Sequence, residues 1–241
     1  MTNRLDGVRA LVTGAGGGVG GELVARLVAD GATVVPADLA APTLPGALPG
    51  VALDVTDDDS CAAAVAAAVE RLGGLDLLVN AAGVMVRKDA LATDTDTWQG
   101  VLDVNLTGVY RMSRAAYEAL AASDRAAIVS ISSTHAFLAA KNSIAYSVSK
   151  AGVSHLTRLL ALEWAEHRIR VNAVAPTVVP SPMTADVLAD PAYLARKFTA
   201  IPLGEPIPAA AVAGAVAYLA SPDAAQITGQ VLVLDGGESL P

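Results

Sequence analysis

Three side chains of the types needed for proton transfer lie near one another in the sequence: Ser133, Tyr146 and Lys150. Tyr146 and Lys150 are four positions apart at the start of a long helical stretch, a spacing that places both side chains on one helix face. A nearby ammonium favours the phenolate and lowers the pKa of a phenol, which is ordinarily about 10. The spacing therefore predicts a tyrosine that serves as an acid and base near neutral pH.

A glycine-rich turn, residues 13–20, ends the first predicted strand and opens the first predicted helix. Gly14, Gly18 and Gly20 allow a tight turn and a close approach of the backbone to a phosphate. The helix N-terminus adds free N–H groups and the positive end of the helix dipole. In this position the turn predicts a binding site for a dinucleotide pyrophosphate.

Asp38 lies eighteen positions after Gly20, at the end of the second predicted strand. A carboxylate at this place accepts hydrogen bonds from the adenosine ribose hydroxyls and repels a 2′-phosphate. No Arg or Lys occurs between Thr13 and Gly21, and Leu39 follows the aspartate. The sequence therefore predicts NAD as the cofactor in preference to NADP.

Two further strand ends carry candidate cofactor contacts. Asp54 and Val55 follow the third predicted strand, where the aspartate either receives the adenine amino group or caps the helix that follows. The run Asn80-Ala81-Ala82-Gly83 follows the fourth strand, and its small residues let a cofactor lie against the backbone. We expect Asn80, Ala81 and Gly83 to contact the cofactor.

The elements that position these residues alternate between short β-branched runs and alanine-rich helical stretches. This βαβ alternation predicts an α/β fold with a doubly wound, Rossmann-type parallel sheet and helices on both faces. In such sheets, ligands bind at the carboxyl ends of the strands. We expect one domain, residues 1–241. Its seven strands are predicted at residues 8–13, 33–35, 51–53, 76–79, 126–131, 169–174 and 231–234.

Prolines interrupt this pattern in two places. Pro36 has no N–H to donate, so we expect the second strand to end or distort there. Residues 176–208 hold seven of the thirteen prolines and no convincing strand. We interpret residues 177–208 as an irregular loop that forms a lid over the substrate.

The composition excludes several classes of protein. A formal net charge of −8 and an aromatic content of 4% disfavour a nucleic-acid partner. Residues 1–7 lack the apolar core of a signal peptide, and the alanine-rich run 62–69 is too short to span a bilayer. Cys61 is the single cysteine, which excludes an intrachain disulfide and disfavours a cysteine-based metal site. We therefore expect a cytoplasmic protein with no metal, no nucleic-acid partner and no membrane partner.

Taken together, the motifs resemble those of the short-chain dehydrogenase/reductase family over nearly the whole chain. Their order and spacing carry the resemblance more than any single motif does. The motifs are the turn at residues 13–20, Asn80–Gly83, Asn105 within residues 103–106, Ser133, the pair Tyr146 and Lys150, residues 170–176, and residues 227–230 leading to Asp235-Gly236-Gly237.

This resemblance implies a mechanism. Tyr146 would take the proton of a substrate hydroxyl while hydride passes from the same carbon to the nicotinamide. Ser133 would hold the substrate oxygen, and Lys150 would bind the nicotinamide ribose and acidify Tyr146. Asn105 would kink its helix and hold a water that relays protons to Lys150. The resemblance also implies cofactor contacts from Val19, Val55, Tyr146, Lys150, Pro176, Val179 and Ser181.

The chain departs from the family pattern at a few positions. Thr177 stands where the family often has glycine, a variant similar to that of sugar and polyol reductases. Ser181 stands in the place of a threonine that contacts the nicotinamide amide, and Glu205 in the place of a basic residue. His135, two residues after Ser133, either lines the substrate pocket or packs as an ordinary histidine.

Three functions follow from this sequence. The first is an NAD-dependent dehydrogenase or ketone reductase that acts on a small polar alcohol such as a polyol or sugar. The second is a 3-oxoacyl-thioester reductase, which Asp38 and the lack of an evident basic cluster for coenzyme A phosphates disfavour. The third is a nucleotide-sensing binding protein, a class that typically lacks the catalytic tyrosine or lysine. The resemblance further implies a homotetramer.

Overall fold

The computed structural model describes residues 4–240, which form a parallel β-sheet with helices packed on both faces. The strands are β1 (Arg9–Thr13), β2 (Thr33–Asp38), β3 (Val51–Ala52), β4 (Leu77–Asn80), β5 (Ala127–Ile131), β6 (Arg170–Pro176) and β7 (Val231–Leu234). The α-helices are α1 (Gly18–Ala29), α2 (Asp58–Leu72), α3 (Thr95–Leu102), α4 (Gly108–Ala121), α5 (Ile144–Glu163), α6 (Ala185–Leu188), α7 (Pro191–Ala200) and α8 (Ala209–Ala220). A short π-helix, Asp103–Thr107, joins α3 to α4.

All seven strands run parallel in the order β3-β2-β1-β4-β5-β6-β7. The chain moves outward from β1 to β3 and then returns to place β4 on the other side of β1. This reversal creates a crevice at the carboxyl ends of β1 and β4, where doubly wound sheets bind ligands. The predicted fold class is confirmed.

The apolar strands are buried on both faces, and each face has its own core. Helices α1 and α8 cover one face, with buried side chains that include Leu23, Leu27, Val212 and Val216. Helices α2, α4 and α5 contribute to the core on the other face, with Cys61, Met112, Leu120 and Leu160 among the buried side chains. The sheet is thereby held rigidly beneath its carboxyl edge, which positions the loops that follow the strands.

The prediction that β2 ends or distorts at Pro36 is wrong, because β2 continues through Pro36 to Asp38. The backbone alternation of β2 explains this. The carbonyl of Val34 accepts from Leu48 and that of Asp38 from Leu53, so these residues bond away from β1. Pro36 has the same orientation, and pairing with β3 begins only at Ala37. The missing N–H therefore falls where no strand needs it.

The prediction of an irregular segment at residues 177–208 is also wrong, because most of its middle is helical. A short 3₁₀ turn, Pro182–Thr184, leads into α6, and α7 follows with Asp190 as its N-cap and Pro191 at its first position. Proline is well tolerated in the first helical turn, where its absent N–H would have no intrahelical partner. Several prolines of this segment therefore mark helix starts.

Candidate active site

Helix α5 brings Tyr146 and Lys150 together, as their spacing predicts. The helix begins at Ile144, and the Lys150 Nζ lies 5.7 Å from the centroid of the Tyr146 ring. The Lys150 Nζ donates a hydrogen bond of 2.7 Å to the carbonyl of Ile131, the last residue of β5. Lys150 therefore links α5 to the carboxyl end of the sheet.

Burial changes the acidity of both side chains. It lowers the pKa of Lys150 to about 8, because the buried ammonium has lost its water. It also raises the pKa of Tyr146, although the neighbouring Ser133 hydroxyl and the charge of Arg87 act in the opposite direction. The expectation of a lowered phenol pKa is therefore wrong for this structure, where desolvation outweighs the favourable contacts.

Ser133 lies immediately beyond β5, at the start of the 3₁₀ turn Thr134–Ala136. Its Oγ accepts a hydrogen bond of 3.2 Å from the backbone N–H of His135, which fixes the side chain at the mouth of the strand. The His135 ring packs edge-on against the Tyr146 ring, with centroids 5.6 Å apart. The hydroxyl, the phenol and the imidazole thus converge on one point.

Asn105 lies in the short π-helix between α3 and α4 and is fully buried. Its Oδ1 accepts from the backbone N–H of Val84 at 2.8 Å, and its Nδ2 donates to the Val84 carbonyl at 2.9 Å and to Ser149 Oγ at 3.1 Å. The side chain therefore holds the loop after β4 against α5. The interruption of the helix at Asn105 agrees with the expected kink, while the proton relay stays a prediction.

The glycine-rich turn has the geometry that only glycine allows at two positions. Gly14 has a φ of +66°, and a Cβ there would lie 2.6 Å from the backbone N of Ala82. A Cβ on Gly20 would lie 2.0 Å from the Gly14 carbonyl oxygen. The turn thus closes tightly against the loop after β4. The N-cap of α1 is Gly17, which has no side chain to occupy the helix N-terminus.

Asp38 lies directly beside this turn. Its Oδ2 accepts a hydrogen bond of 2.9 Å from Gly16 N–H, and its Oδ1 accepts one of 2.8 Å from Leu39 N–H. A Cβ on Gly16 would lie 3.1 Å from the same Oδ2. The carboxylate is therefore held in place at the end of β2 by two backbone donors.

Asp54 does not cap the following helix, which removes one of the two roles open to it. Its Oδ1 accepts from both the N–H and the hydroxyl of Thr56, and these bonds lower the pKa of Asp54. The N-cap of α2 is Asp57, whose Oδ1 accepts from Ser60 N–H at 2.8 Å. Asp54 lines the cavity described next.

One large cavity, of about 1350 Å³, opens at the carboxyl edge of the sheet. It exceeds the ~300–1,000 Å³ that is usual for a single small ligand, so it has room for a dinucleotide and a second molecule. The candidate residues that line it are Gly14, Gly18, Val19, Gly20, Asp38, Asp54, Val55, Ala81, Gly83, Ser133, Tyr146, Lys150, Pro176, Val179 and Ser181.

Asn80 and Asn105 are the two candidates whose residues do not line this cavity. Asn80 is buried beneath it, and its Nδ2 donates to Ser113 Oγ at 3.3 Å and to Ser130 Oγ at 3.4 Å. Its side chain therefore joins β4 to α4 and β5. Glu205 is exposed and lies outside the cavity lining.

The structure brings together basic residues that sequence reasoning missed. Arg87, Lys141, Arg196 and Lys197 all line the cavity, although they are spread over more than a hundred positions of the chain. The expected lack of a basic cluster for coenzyme A phosphates stays a prediction. Apart from the consecutive Arg196 and Lys197, only the fold brings these residues to one cavity, so no local sequence signal could have found the group.

The residues at one end of the cavity fit a bound dinucleotide. The Gly14–Gly20 turn leaves a space next to the N-terminus of α1 that side chains would fill, and Asp38 presents a carboxylate beside it.

Within residues 4–240, no group of three His, Cys, Asp or Glu side chains could hold a metal ion. Over the same residues, no helix combines the length and apolar character needed to cross a bilayer.

Comparisons with known proteins agree with this geometry. A family model described as enoyl-(acyl carrier protein) reductase matches residues 14–239. Galactitol 2-dehydrogenase (L-tagatose-forming) from Cereibacter sphaeroides is 38% identical to this chain, with 97% of this chain and 96% of the relative aligned. Trans-4-hydroxycyclohexanecarboxylate dehydrogenase from Sinomonas cyclohexanicum is also 38% identical, over 99% of this chain and 95% of the relative.

A solved structure is similar over the whole chain. The gluconate 5-dehydrogenase from Burkholderia cenocepacia J2315, in complex with NADP and tartrate, has a TM-score of 0.91 and 28% sequence identity. The alignment covers 100% of this chain and 98% of that one. With the fold, the matched model and these relatives together, the chain belongs to the short-chain dehydrogenase/reductase family and is an oxidoreductase that acts on CH–OH groups.

Proposed function

We propose that this enzyme transfers a hydride between NAD(H) and a small polar secondary alcohol or its ketone, with a polyol- or sugar-like substrate. The observation that carries the proposal is the convergence of Ser133, Tyr146 and Lys150 in the cavity that Asp38 lines at its other end. The polyol named for the galactitol relative and the hydroxy acid named for the cyclohexane relative are both polar secondary alcohols, which supports this substrate class.

Tyr146 is proposed to move the proton. In the oxidation direction its phenolate oxygen takes the proton of the substrate hydroxyl, and in reduction the phenol returns a proton to the ketone oxygen. Ser133 donates a hydrogen bond to the same substrate oxygen and holds it against the phenol. The bound nicotinamide would supply the chemistry of hydride acceptance and donation.

Lys150 is proposed to orient the nicotinamide ribose and, when charged, to favour the phenolate of Tyr146 against the opposing effect of burial. Its hydrogen bond to the Ile131 carbonyl fixes the ammonium in reach of the phenol ring. Asn105 is proposed to position the loop after β4, because its amide bonds both backbone groups of Val84. The expected water relay near Asn105 remains part of this proposal.

The segment 177–208 is proposed to serve as a lid. Two ion pairs tie it to the rest of the molecule: Arg87 contacts Asp186 of α6 at 3.1 Å, and Lys197 of α7 pairs with Glu238. Thr177 also donates to Glu238, which gives a structural use to the threonine at a position where the family often has glycine. These contacts can break and re-form as a substrate enters.

The preference for NAD over NADP is proposed from Asp38. A carboxylate held beside the ribose site would repel a 2′-phosphate. The similar structure that holds NADP indicates that the fold alone does not exclude a 2′-phosphate, so the preference would depend on this side chain. We expect kcat/KM for NAD to exceed that for NADP by about 100-fold, and Asp38→Asn to reduce this ratio by at least about 10-fold.

Steady-state kinetics with both cofactors check this prediction. Asp54→Asn is the matched control, because it removes a carboxylate from the same end of the cavity and should leave the NAD/NADP ratio unchanged. A wild-type enzyme that uses NADP as well as NAD would contradict the proposal. So would an Asp38→Asn variant with an unchanged ratio.

A specific observation also favours a second candidate, the 3-oxoacyl-thioester reductase. The exposed side chains of Lys141 and Arg196 line the cavity, where they could contact the phosphates of coenzyme A. Asp38 weighs against this function, because biosynthetic reductases usually draw on NADPH. The third function, a nucleotide-sensing binding protein, is disfavoured because Ser133, Tyr146 and Lys150 all meet in the cavity.

One spectrophotometric screen separates the three functions. Polyols, secondary alcohols and 3-oxoacyl thioesters are tested as substrates with NAD(H) and NADP(H) in parallel. Turnover of the polar alcohols with NAD supports the proposed function, and turnover of the thioesters with NADPH supports the second. Tight NAD binding without turnover of any of them would favour the binding protein.

A homotetramer in the cytoplasm is also proposed. Tyr110 on α4 and Leu159 and Leu162 on α5 leave large apolar side chains exposed, which suits helix packing between subunits. The buried, unpaired thiol of Cys61 is compatible with a reducing compartment. Light scattering of the purified protein tests the assembly, and a monomeric mass would contradict it.

A further inference from the structure

The residues that line the cavity carry opposite charge at its two ends. Its acidic lining residues lie at the end proposed for the adenosine, where Asp38 is the last residue of β2 and Asp54 follows β3. Apart from Lys150, its basic lining residues come from the loop after β4, the segment before α5 and helix α7. They are Arg87, Lys141, Arg196 and Lys197. These four side chains form a basic wall of the cavity, although the formal net charge of the protein is −8.

Two of these cations have carboxylate partners, but the partners do not remove the imbalance. Arg87 pairs with Asp186, and Lys197 pairs with Glu238. Lys141 and Arg196 have no carboxylate within 4.0 Å among the residues that the structure describes. The wall therefore retains an excess of positive charge facing the position where a substrate would lie.

Among these four cations, Arg87 is the one whose charge acts on Tyr146. Burial raises the pKa of Tyr146 and of Tyr193 and lowers that of His135. The charge of Arg87 acts in the lowering direction on all three, so the guanidinium is within electrostatic reach of these side chains. The Arg87 side chain is 26% exposed, far less than the 62% of its partner Asp186. It is thus partly desolvated at the edge of the cavity that Tyr146 also lines, where an anion would be held more strongly than at the surface.

The hydrogen bonds of Arg87 leave half of its guanidinium available. All of its described bonds use Nη1, which donates to Asp186 Oδ1 and Oδ2 at 3.1 Å and to the Met183 carbonyl at 3.2 Å. Among residues 4–240, Nε and Nη2 have no hydrogen-bond acceptor. These two groups form the planar edge that binds a carboxylate through two parallel hydrogen bonds.

His135 adds a second unused polar group at the same place. Its Nδ1 is buried and has no hydrogen-bond partner among the described residues, and its ring lies against that of Tyr146. Burial and the nearby Lys197 lower the pKa of His135, so the ring is neutral near pH 7. A buried nitrogen without a partner is costly, and a substrate hydroxyl would satisfy it.

We propose that the substrate is a hydroxy acid, whose carboxylate is bound by Nε and Nη2 of Arg87 while its secondary hydroxyl contacts Tyr146 and Ser133. This inference rests on the proposed function and names its substrate class more closely. His135, whose ring lies against that of Tyr146, accepts a hydrogen bond from or donates one to a further hydroxyl of a polyhydroxylated acid. Arg196 and Lys197 add positive charge that attracts the anion.

The phosphates of a coenzyme A thioester are another source of negative charge, but they fit Arg87 less well. In such a substrate a long pantetheine arm separates the phosphates from the reacting ketone. They would therefore contact the exposed cations, Lys141 and Arg196, at the cavity mouth. A carboxylate within a few carbon atoms of the carbinol instead matches a cation that influences Tyr146 directly.

The test compares each hydroxy acid with its own primary amide, using gluconate with gluconamide and 4-hydroxycyclohexanecarboxylate with its carboxamide. We expect wild-type kcat/KM to be about 10- to 100-fold higher for the acid of at least one pair, the range that a charge-assisted bidentate bond supports. Arg87→Met should bring this ratio to within about threefold of unity. Arg87→Lys should give an intermediate ratio, because lysine keeps the positive charge but lacks the planar pair of N–H donors.

Two control variants separate substrate binding from other effects. Lys88→Met removes the neighbouring cation, which does not line the cavity, and should leave the acid-to-amide ratio unchanged. Asp186→Asn breaks the contact between Arg87 and the lid while leaving Arg87 in place, and should keep or raise the ratio. If Asp186→Asn also brings the acid-to-amide ratio of kcat/KM close to unity, as Arg87→Met does, then Arg87 acts by holding the lid and the inference is overturned.

Failure of the inference is distinguishable from failure of the proposed function. Equal turnover of acid and amide by the wild-type enzyme overturns the inference and leaves the proposed function intact. If neither compound of any pair is oxidised, the binding of each acid and its amide to the protein–NADH complex is measured by calorimetry. Tighter binding of the acid, lost in Arg87→Met, supports the inference, and equal binding or no binding overturns it. Charge dependence confined to Lys141→Met and Arg196→Met, with 3-oxoacyl-coenzyme A as substrate, also overturns it.

Discussion

Replacing Tyr146 with phenylalanine is expected to lower kcat by at least about 1,000-fold, within the range that a positioned general acid and base contributes. The substitution removes one oxygen atom and keeps the ring that packs against His135. Binding of NAD should therefore change by less than about threefold, as measured by calorimetry or by quenching of protein fluorescence. Loss of turnover with intact cofactor binding would place the oxygen of Tyr146 in the chemical step.

The pH dependence gives this prediction a second readout. Because burial raises the pKa of Tyr146, the phenol is largely protonated near neutral pH and must lose its proton before it can accept one from an alcohol. Wild-type alcohol oxidation should therefore speed up as the pH rises from 7 to 9, while the residual rate of Tyr146→Phe should not follow that curve. Tyr110→Phe is the matched control, since Tyr110 is exposed on α4. A Tyr146→Phe variant that keeps a near-wild-type rate would refute the role of the phenol.

The sequence was sufficient to predict the sheet and the meeting of the active groups, because both follow from periodicity. A parallel sheet gathers the carboxyl ends of its strands at one edge, so residues just beyond β1, β2 and β5 had to become neighbours. The helical period placed Tyr146 and Lys150 on one face without any tertiary information. Gly20 similarly had to be small, since a Cβ would meet the Gly14 carbonyl.

The features that the sequence did not predict depend on distant parts of the chain. Pro36 is compatible with a central strand only because β3 begins its pairing one residue later. The basic wall depends on the approach of α7 to the loop after β4, which no local pattern encodes. The direction in which the pKa of Tyr146 shifts depends on how much water the lid and the neighbouring loops exclude from the phenol.

Lys150 combines a proposed functional role with a cost in stability. A charged group inside the protein is costly unless an opposite charge accompanies it. Among the described residues, the ammonium of Lys150 has a carbonyl as its hydrogen-bond acceptor and no carboxylate within 4.0 Å. An orienting role toward Tyr146 and a ribose would require this charge in spite of its cost.

Lys150→Met is therefore expected to abolish turnover and to stabilise the protein. The pKa of Lys150 is about 8 in the folded chain against 10.5 for an ordinary lysine, a difference that corresponds to a cost of about 3 kcal/mol. Loss of the hydrogen bond to Ile131 offsets about 1 kcal/mol of the gain. At pH 7 we expect a net gain of about 2 kcal/mol in the free energy of unfolding, or about 4–8 °C in Tm for a chain of this length.

The sign of the pH dependence makes this prediction specific. Below pH 8 the folded and unfolded lysine are both charged, so the cost of burying the charge is fully present and the advantage of the Lys150→Met variant over the wild type is largest. Between pH 8 and 10.5 the folded lysine is neutral while the unfolded one still holds its proton. The stability of the wild type therefore rises toward that of the variant, and the advantage disappears above about pH 10.5. Lys141→Met is the control, because Lys141 is exposed and its replacement should leave Tm unchanged. A Lys150→Met variant that is less stable than the wild type at pH 7 would show that contacts of the ammonium outweigh its desolvation.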